Sequence, residues 1–305
     1  MTEVVVPWIQ AARPKTLPAA AVPVILGGAL AWSGEAFDFL PWSICLSFAL
    51  LIQVGTNYAN DYYDFVKGAD DDRRIGPERA VASGWVSPGA MKTGMILVFA
   101  LAFAAGSLLI PWGGWWLLLV GLASVVSGVA YTGGPYPLGY NGWGDVFVFV
   151  FFGWIATGFT YYVQAGRFLF EAPGGTGAGW VWLAGIVPGA LSTNLLVVNN
   201  LRDEPLDREA GKRTLAVRFG RSWGVGEFIL LNALSLLVPV YFATAGGLWW
   251  CLLVLLVAPL MGVVSRDLMR AEDRDSYQRV LGMTALLLLL TGLLFAVGLL
   301  LRGGG

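Results

Sequence analysis

The stretch PWSICLSFALLIQVGTNYANDYYD, residues 41–64, is apolar for most of its length and then ends in a burst of asparagine and aspartate. A long run that is continuously apolar, with no alternation, reads as a helix crossing a membrane. About 20 such residues cross the hydrocarbon, and a helix satisfies its own backbone hydrogen bonds there. Carboxylates gathered at the mouth of such a span need a separate reason. Working outward, the whole chain is 57% hydrophobic and only 13% charged, with a mean hydropathy of +0.68. That is far from a soluble globular profile. Comparable apolar runs fall near 17–33, 41–60, 93–111, 114–132, 146–165, 180–201, 224–245, 247–265 and 281–301. The expected fold is all-α: a polytopic membrane bundle of about nine transmembrane helices, forming one domain over residues 1–305.

Numbered from a cytoplasmic N-terminus, 17 of the 19 lysines and arginines fall on one side, with Arg167 and Arg302 opposite. This positive-inside bias sets the orientation. The N-terminus and both acidic clusters, 57–74 and 199–213, face the cytoplasm, and the C-terminus lies outside the cell membrane. Arg13 and Lys15 before an apolar stretch also look like a secretory leader, with GALAWSG as a cleavage region. Eight further spans need no removable leader, so the first is expected to stay. Cys45 and Cys251 lie inside spans, which leaves neither a disulfide framework nor a metal-thiolate spacing. The basic loops are interleaved with acids between spans, and no nucleic-acid partner is expected.

The chain has no histidine, which excludes Ser/His/Asp triads, Cys/His dyads, histidine zinc sites and histidine-ligated haem. Chemistry must run on carboxylates, amides and basic residues, with or without a bound ion. Carboxylate sites select hard cations, and Mg²⁺ is typically held by one or two carboxylates together with substrate phosphates. If the second span continues as helix, Asn57, Asp61 and Asp64 fall at i, i+4 and i+7, with Asn60 and Asp64 a neighbouring i, i+4 pair. Asn200, Asp203 and Asp207 repeat the pattern at i, i+3 and i+7 on the sixth span. Like charges at this spacing repel unless something positive lies between them. Charges at helix ends also simply mark the water boundary, and Asp70, Asp71 and Asp72 beside Arg73 and Arg74 fit an exposed loop equally well. Acids at the edge of a membrane span are functional by default.

The first cluster resembles the N-D-x-x-D signature of the UbiA superfamily of intramembrane prenyltransferases, and the second is similar to that superfamily's D-x-x-x-D element. Four blocks, WIQAARPKTLPAAAVPVILG, NDYYDFVKGADDDRRIGPERAVASG, YTGGPYPLGYNGWGDVFVFVFFG and NNLRDEPLDREAGKRTLAVRFGR, resemble the branch that acts on 1,4-dihydroxy-2-naphthoate in menaquinone synthesis. The likeness runs from about Trp8 to Arg221. It implies an Mg²⁺-dependent alkyl transferase embedded in lipid, with polyprenyl diphosphate and 1,4-dihydroxy-2-naphthoate as substrates and demethylmenaquinol as product. CO₂ and diphosphate would be released. Asn60 and Asp64, with Asp61 between them, match the first metal-diphosphate motif, and Asp203 and Asp207 match the second. The acid that the superfamily often places four residues after the second aspartate is Gly68 here, and Asp70 follows in a KGAD form as a further ligand. Arg13, Lys67, Arg73, Arg79, Asn200 and Lys212 are the expected substrate contacts. Many relatives carry a basic pair in the loop after the fourth span, whereas YTGGPYPLGYNG has neither lysine nor arginine.

An allylic cation must be kept from water, and its isoprenoid tail needs an apolar cavity. Aromatic faces such as Tyr131, Phe152, Tyr161 and Tyr162 could stabilise positive charge there. Two other readings share part of the pattern. A sister enzyme would use 4-hydroxybenzoate, homogentisate, a haem or a glycerol phosphate as acceptor. An ion-coupled transporter would place its acids near the bilayer midplane, not at helix ends.

Overall fold

The computed structural model describes residues 2–68, 79–172 and 174–301. The chain begins with a helix outside the hydropathy runs, α1 (Thr2–Ala12), which stops at Arg13. The Arg13 backbone enters the left-handed region at φ 51°, a rare conformation for a residue with a Cβ. A 3₁₀ turn over Pro14–Thr16 then redirects the chain into α2 (Leu17–Ser33). Two amides of the next helix, α3 (Phe39–Val66), hold this corner. Asn57 Nδ2 donates to Ala12 O at 2.8 Å and to Thr16 Oγ1 at 3.2 Å, and Gln53 Nε2 donates to Thr16 Oγ1 at 3.1 Å. Helical spacing had grouped Asn57 with the oxygen ligands. In the structure it is a buried fastener for the α1–α2 corner.

Asp38 caps α3 by accepting from Leu40 N at 3.0 Å, and the helix runs unbroken through Asn60 and Asp64 to Val66. It packs along α4 (Pro88–Ser107). The short α5 (Ile110–Gly113) and α6 (Leu117–Ala130) follow. Eight of the nine expected spans are helices long and apolar enough to cross a membrane. The segment expected at 114–132 differs. Its helix, α6, has 14 residues and reaches about 21 Å, short of a hydrocarbon core of roughly 30 Å.

The span over Gly144–Ala165 consists of α7 (Gly144–Phe149), a π-helical stretch over Val150–Ile155 and α8 (Ala156–Ala165). At Gly153 its backbone lies directly against α9 (Gly179–Glu209). A Cβ there would sit 2.6 Å from Gly185 O and 2.9 Å from Gly189 Cα, the close approach that small residues permit between membrane helices. Between α8 and α9 a small antiparallel hairpin pairs β1 (Phe170–Ala172) with β2 (Gly175–Gly177). After α9 come α10 (Leu215–Phe219), α11 (Arg221–Thr244), a 3₁₀ segment over Trp249–Val257, α12 (Ala258–Arg270) and α13 (Arg274–Leu300).

Helix α9 is the hub, packing on α2, α7, α8, α10, α11 and α13. Its apolar window is 78% buried, against 22% for α3 and α4, which places those two at the rim. Apolar side chains such as Leu119, Trp115 and Leu256 point outward, as lipid contact requires.

Candidate active site

The acidic ends of α3 and α9 open into one chamber of about 620 Å³. Asn60, Asp61 and Asp64 line it from α3, and Asn199, Asn200, Asp203 and Asp207 from α9. Arg13, Lys15, Arg79, Tyr140, Lys212, Arg274 and Gln278 complete much of the wall.

In the first cluster the partners come from distant parts of the chain. Asp64 Oδ2 accepts from Arg79 Nη2 at 2.8 Å, with both side chains buried, and Asp64 Oδ1 accepts from the Tyr140 hydroxyl at 2.7 Å. Asn60 Oδ1 accepts from Thr132 Oγ1 at 3.0 Å. Asp61 was grouped with the catalytic residues, but here its two oxygens accept from the backbone amides of Ala80 and Val81 at 3.1 and 3.0 Å. Its carboxylate ties the loop after residue 79 to α3 through charge-assisted bonds to two successive amides. Lys67 Nζ donates to Thr132 O at 2.6 Å. Desolvation pushes its ammonium pKa down, the charge of Asp64 opposes this, and Lys212 reinforces it.

The second cluster is tied within itself. Arg202 grips Asp203 with two bonds of 2.7 Å, and Lys212 meets Asp207 at 3.0 Å. Arg202 is 3% exposed, and its Nη1 has no hydrogen-bond partner among the described residues. A buried donor of this kind on a chamber wall fits an anionic oxygen. Sequence spacing missed Arg202, although a basic residue at the inner end of a span beside Asp203 was a usable signal. It also missed Lys15, Tyr140, Arg274 and Gln278, which only the tertiary fold brings to the chamber. Asp70 and Arg73 lie outside the described residues.

Among the described residues no three acidic or cysteine side chains converge on a single point. The donors are instead two acids per helix end with amide oxygens beside them, all of them hard ligands. Such a set fits Mg²⁺, which keeps several positions for water and phosphate oxygen.

Tyr131 lines this chamber and also a second cavity, apolar and of about 150 Å³. The second cavity runs among α2, α3, α6 and the π-helical segment, with Val24, Phe48, Ile52, Val120, Phe151 and Phe152 in its walls. Two of the aromatic residues considered above, Tyr131 and Phe152, thus face an apolar space. The other two are engaged elsewhere: the Tyr161 hydroxyl donates to Leu169 O at 2.6 Å, and Tyr162 stacks on Phe168 with ring centroids 4.8 Å apart. Gly144 makes room for Tyr131, since a Cβ there would lie 3.0 Å from the phenol oxygen.

A multi-pass helical bundle whose two acidic helix ends share a polar chamber beside an apolar cavity is the architecture of an intramembrane prenyltransferase. The chain belongs to the UbiA prenyltransferase family, whose model matches residues 20–290. It is 41% identical to a Mycobacterium tuberculosis protein named 1,4-dihydroxy-2-naphthoate octaprenyltransferase, over 83% of this chain and 82% of that one. A Haemophilus influenzae protein of the same name is 34% identical, over 96% of this chain and 95% of its own length. Among solved structures, a UbiA homolog from Archaeoglobus fulgidus bound to DMAPP and Mg²⁺ superposes with a TM-score of 0.57. It shares 14% identity and covers 95% of this chain and 99% of that one, a likeness of fold.

Proposed function

We propose that the chain transfers a polyprenyl group from polyprenyl diphosphate to 1,4-dihydroxy-2-naphthoate, releasing diphosphate and CO₂ and yielding demethylmenaquinol. It works as one domain in the cell membrane, with the chamber at the cytoplasmic face. The one-sided distribution of basic residues supports that orientation. The observation that carries the reading is the adjacent pair of spaces, which share Tyr131 as a wall. One is lined by paired acids and bases and suits a diphosphate head, the other is apolar and suits an isoprenoid tail, and Tyr131 stands between them. The names of relatives that match most of the chain supply the acceptor.

Asn60, Asp64, Asp203 and Asp207 would hold Mg²⁺, with Asp70 as a further ligand. The bound ion supplies Lewis-acid neutralisation of the charge that develops on the leaving oxygen. The protein's part is a change of partners. Arg79, Arg202 and Lys212 each neutralise a carboxylate of the chamber. Were those carboxylates to hold the cation, the three bases would be available to phosphate oxygens, together with Arg13, Lys67, Arg73 and Asn200. The apolar cavity excludes water from the carbon being transferred. Because the acceptor loses its own carboxylate, ring aromaticity returns without a side chain acting as base at the attacked carbon.

The test is purified protein with Mg²⁺, a polyprenyl diphosphate and each acceptor in turn, read by product mass. The naphthoate is expected to give a prenylated product lighter by CO₂. A product from 4-hydroxybenzoate or another acceptor alone overturns the acceptor assignment.

A further inference from the structure

The loop after α6, YTGGPYPLGYNG, has neither lysine nor arginine, yet it reaches both acidic clusters through one side chain. The Tyr140 ring has Lys67 Nζ at 4.8 Å and Lys212 Nζ at 4.7 Å from its centroid. Lys67 belongs to the first cluster and Lys212 to the second, so one aromatic ring holds a cation from each. The Tyr140 hydroxyl donates to Asp64 at 2.7 Å, and its carbonyl accepts from Arg213 N at 2.7 Å. Two ammonium groups gathered around one point repel each other, and a ring quadrupole offsets that repulsion without consuming a negative charge.

We propose that Tyr140 is the positioning residue for the diphosphate grip. Its ring holds Lys67 and Lys212 poised, one from each cluster, to close on the same diphosphate. This rests on the reading that the chamber binds diphosphate. Tyr140 itself touches the lysines, not the reacting atoms.

The test is calorimetric binding of magnesium pyrophosphate to the full-length protein in detergent, which needs neither acceptor nor turnover. Tyr140→Phe and Tyr140→Trp keep an aromatic face and are expected to bind within about threefold of the unaltered protein, whereas Tyr140→Leu loses about tenfold. In a Lys67→Met/Lys212→Met background, Tyr140→Leu is expected to add no further loss. A full and additive loss in that background makes Tyr140 mere packing and overturns the proposal. If Tyr140→Leu does not purify folded, Tyr140→Gln carries the same comparison. Independently of any change at Tyr140, a Lys67→Met by Lys212→Met cycle is expected to show coupling well above twofold, and strict additivity overturns the proposal. Failure of the unaltered protein to bind magnesium pyrophosphate at all strikes the diphosphate reading itself. Binding that no Tyr140 variant changes strikes only Tyr140.

Discussion

The two acidic clusters use the same residue types at nearly the same helical spacing, yet they are held in opposite ways. At the end of α9 three ion pairs among the described residues join near neighbours in the chain: Arg202 with Asp203, Glu204 with Arg208, Asp207 with Lys212. At the end of α3 the partners arrive from elsewhere, Arg79 and the Ala80 and Val81 amides from the following loop and Tyr140 from beyond α6. These pairs of the second cluster are local in sequence, while the first cluster exists only when several elements have docked. A site built from one mainly local half and one assembled half couples its completeness to the folding of the whole bundle.

The largest effect expected is common to both halves. Asp64→Asn and Asp207→Asn should each abolish turnover, with a loss of a thousandfold or more if each carboxylate serves the transition state, about 4 kcal/mol, while folded protein still reaches the membrane. Near-normal activity in either variant would show that one cluster suffices. The next effect separates the halves. Removing Arg79 leaves Asp64 buried without its cation and should destabilise the protein by about 3 kcal/mol or more. Arg208→Ala removes an exposed i, i+4 pair with Glu204 and should cost about 0.5 kcal/mol. Denaturation of the purified variants in detergent checks the ranking, and equal losses would break the contrast. A smaller change is expected in Asp61→Asn, where one carboxylate oxygen that accepts a backbone amide becomes a donor. Hydrogen exchange should quicken at Ala80 and Val81 and stay unchanged at Asp203 and Asp207.

The same contrast explains what the sequence disclosed. Continuous apolar runs reveal spans because lipid imposes one rule on every residue in them, so eight of the nine runs coincide with helices of spanning length. The rule does not see α1, whose end depends on Arg13 adopting φ 51° and on Asn57 reaching across to Ala12. Nor does it see the π-helical stretch, where Gly153 meets Gly185 and Gly189 of another helix. Within the chamber, spacing along one helix was enough to gather Asn60 with Asp64 and Asp203 with Asp207. It misjudged Asn57, whose partners lie on another helix, and was blind to Tyr140, Arg274 and Gln278. Local order was legible, and order made by docking was not.

The smallest expected effect concerns charge, not structure. Lys67 belongs to the assembled half, and desolvation there lowers its pKa, with Lys212 adding to the shift and Asp64 opposing it. Only the protonated ammonium attracts a diphosphate. A lowered pKa means that this attraction fades as pH rises, beginning at a lower pH than for a free lysine. The value of kcat/KM for the diphosphate reports groups of the unliganded protein, so its alkaline limb should carry this loss. Lys67→Arg keeps its charge throughout that range. The variant should match the original protein within a few fold near neutrality and move the alkaline limb to higher pH. Coincident limbs would transfer the titration to another group and remove Lys67 from the grip.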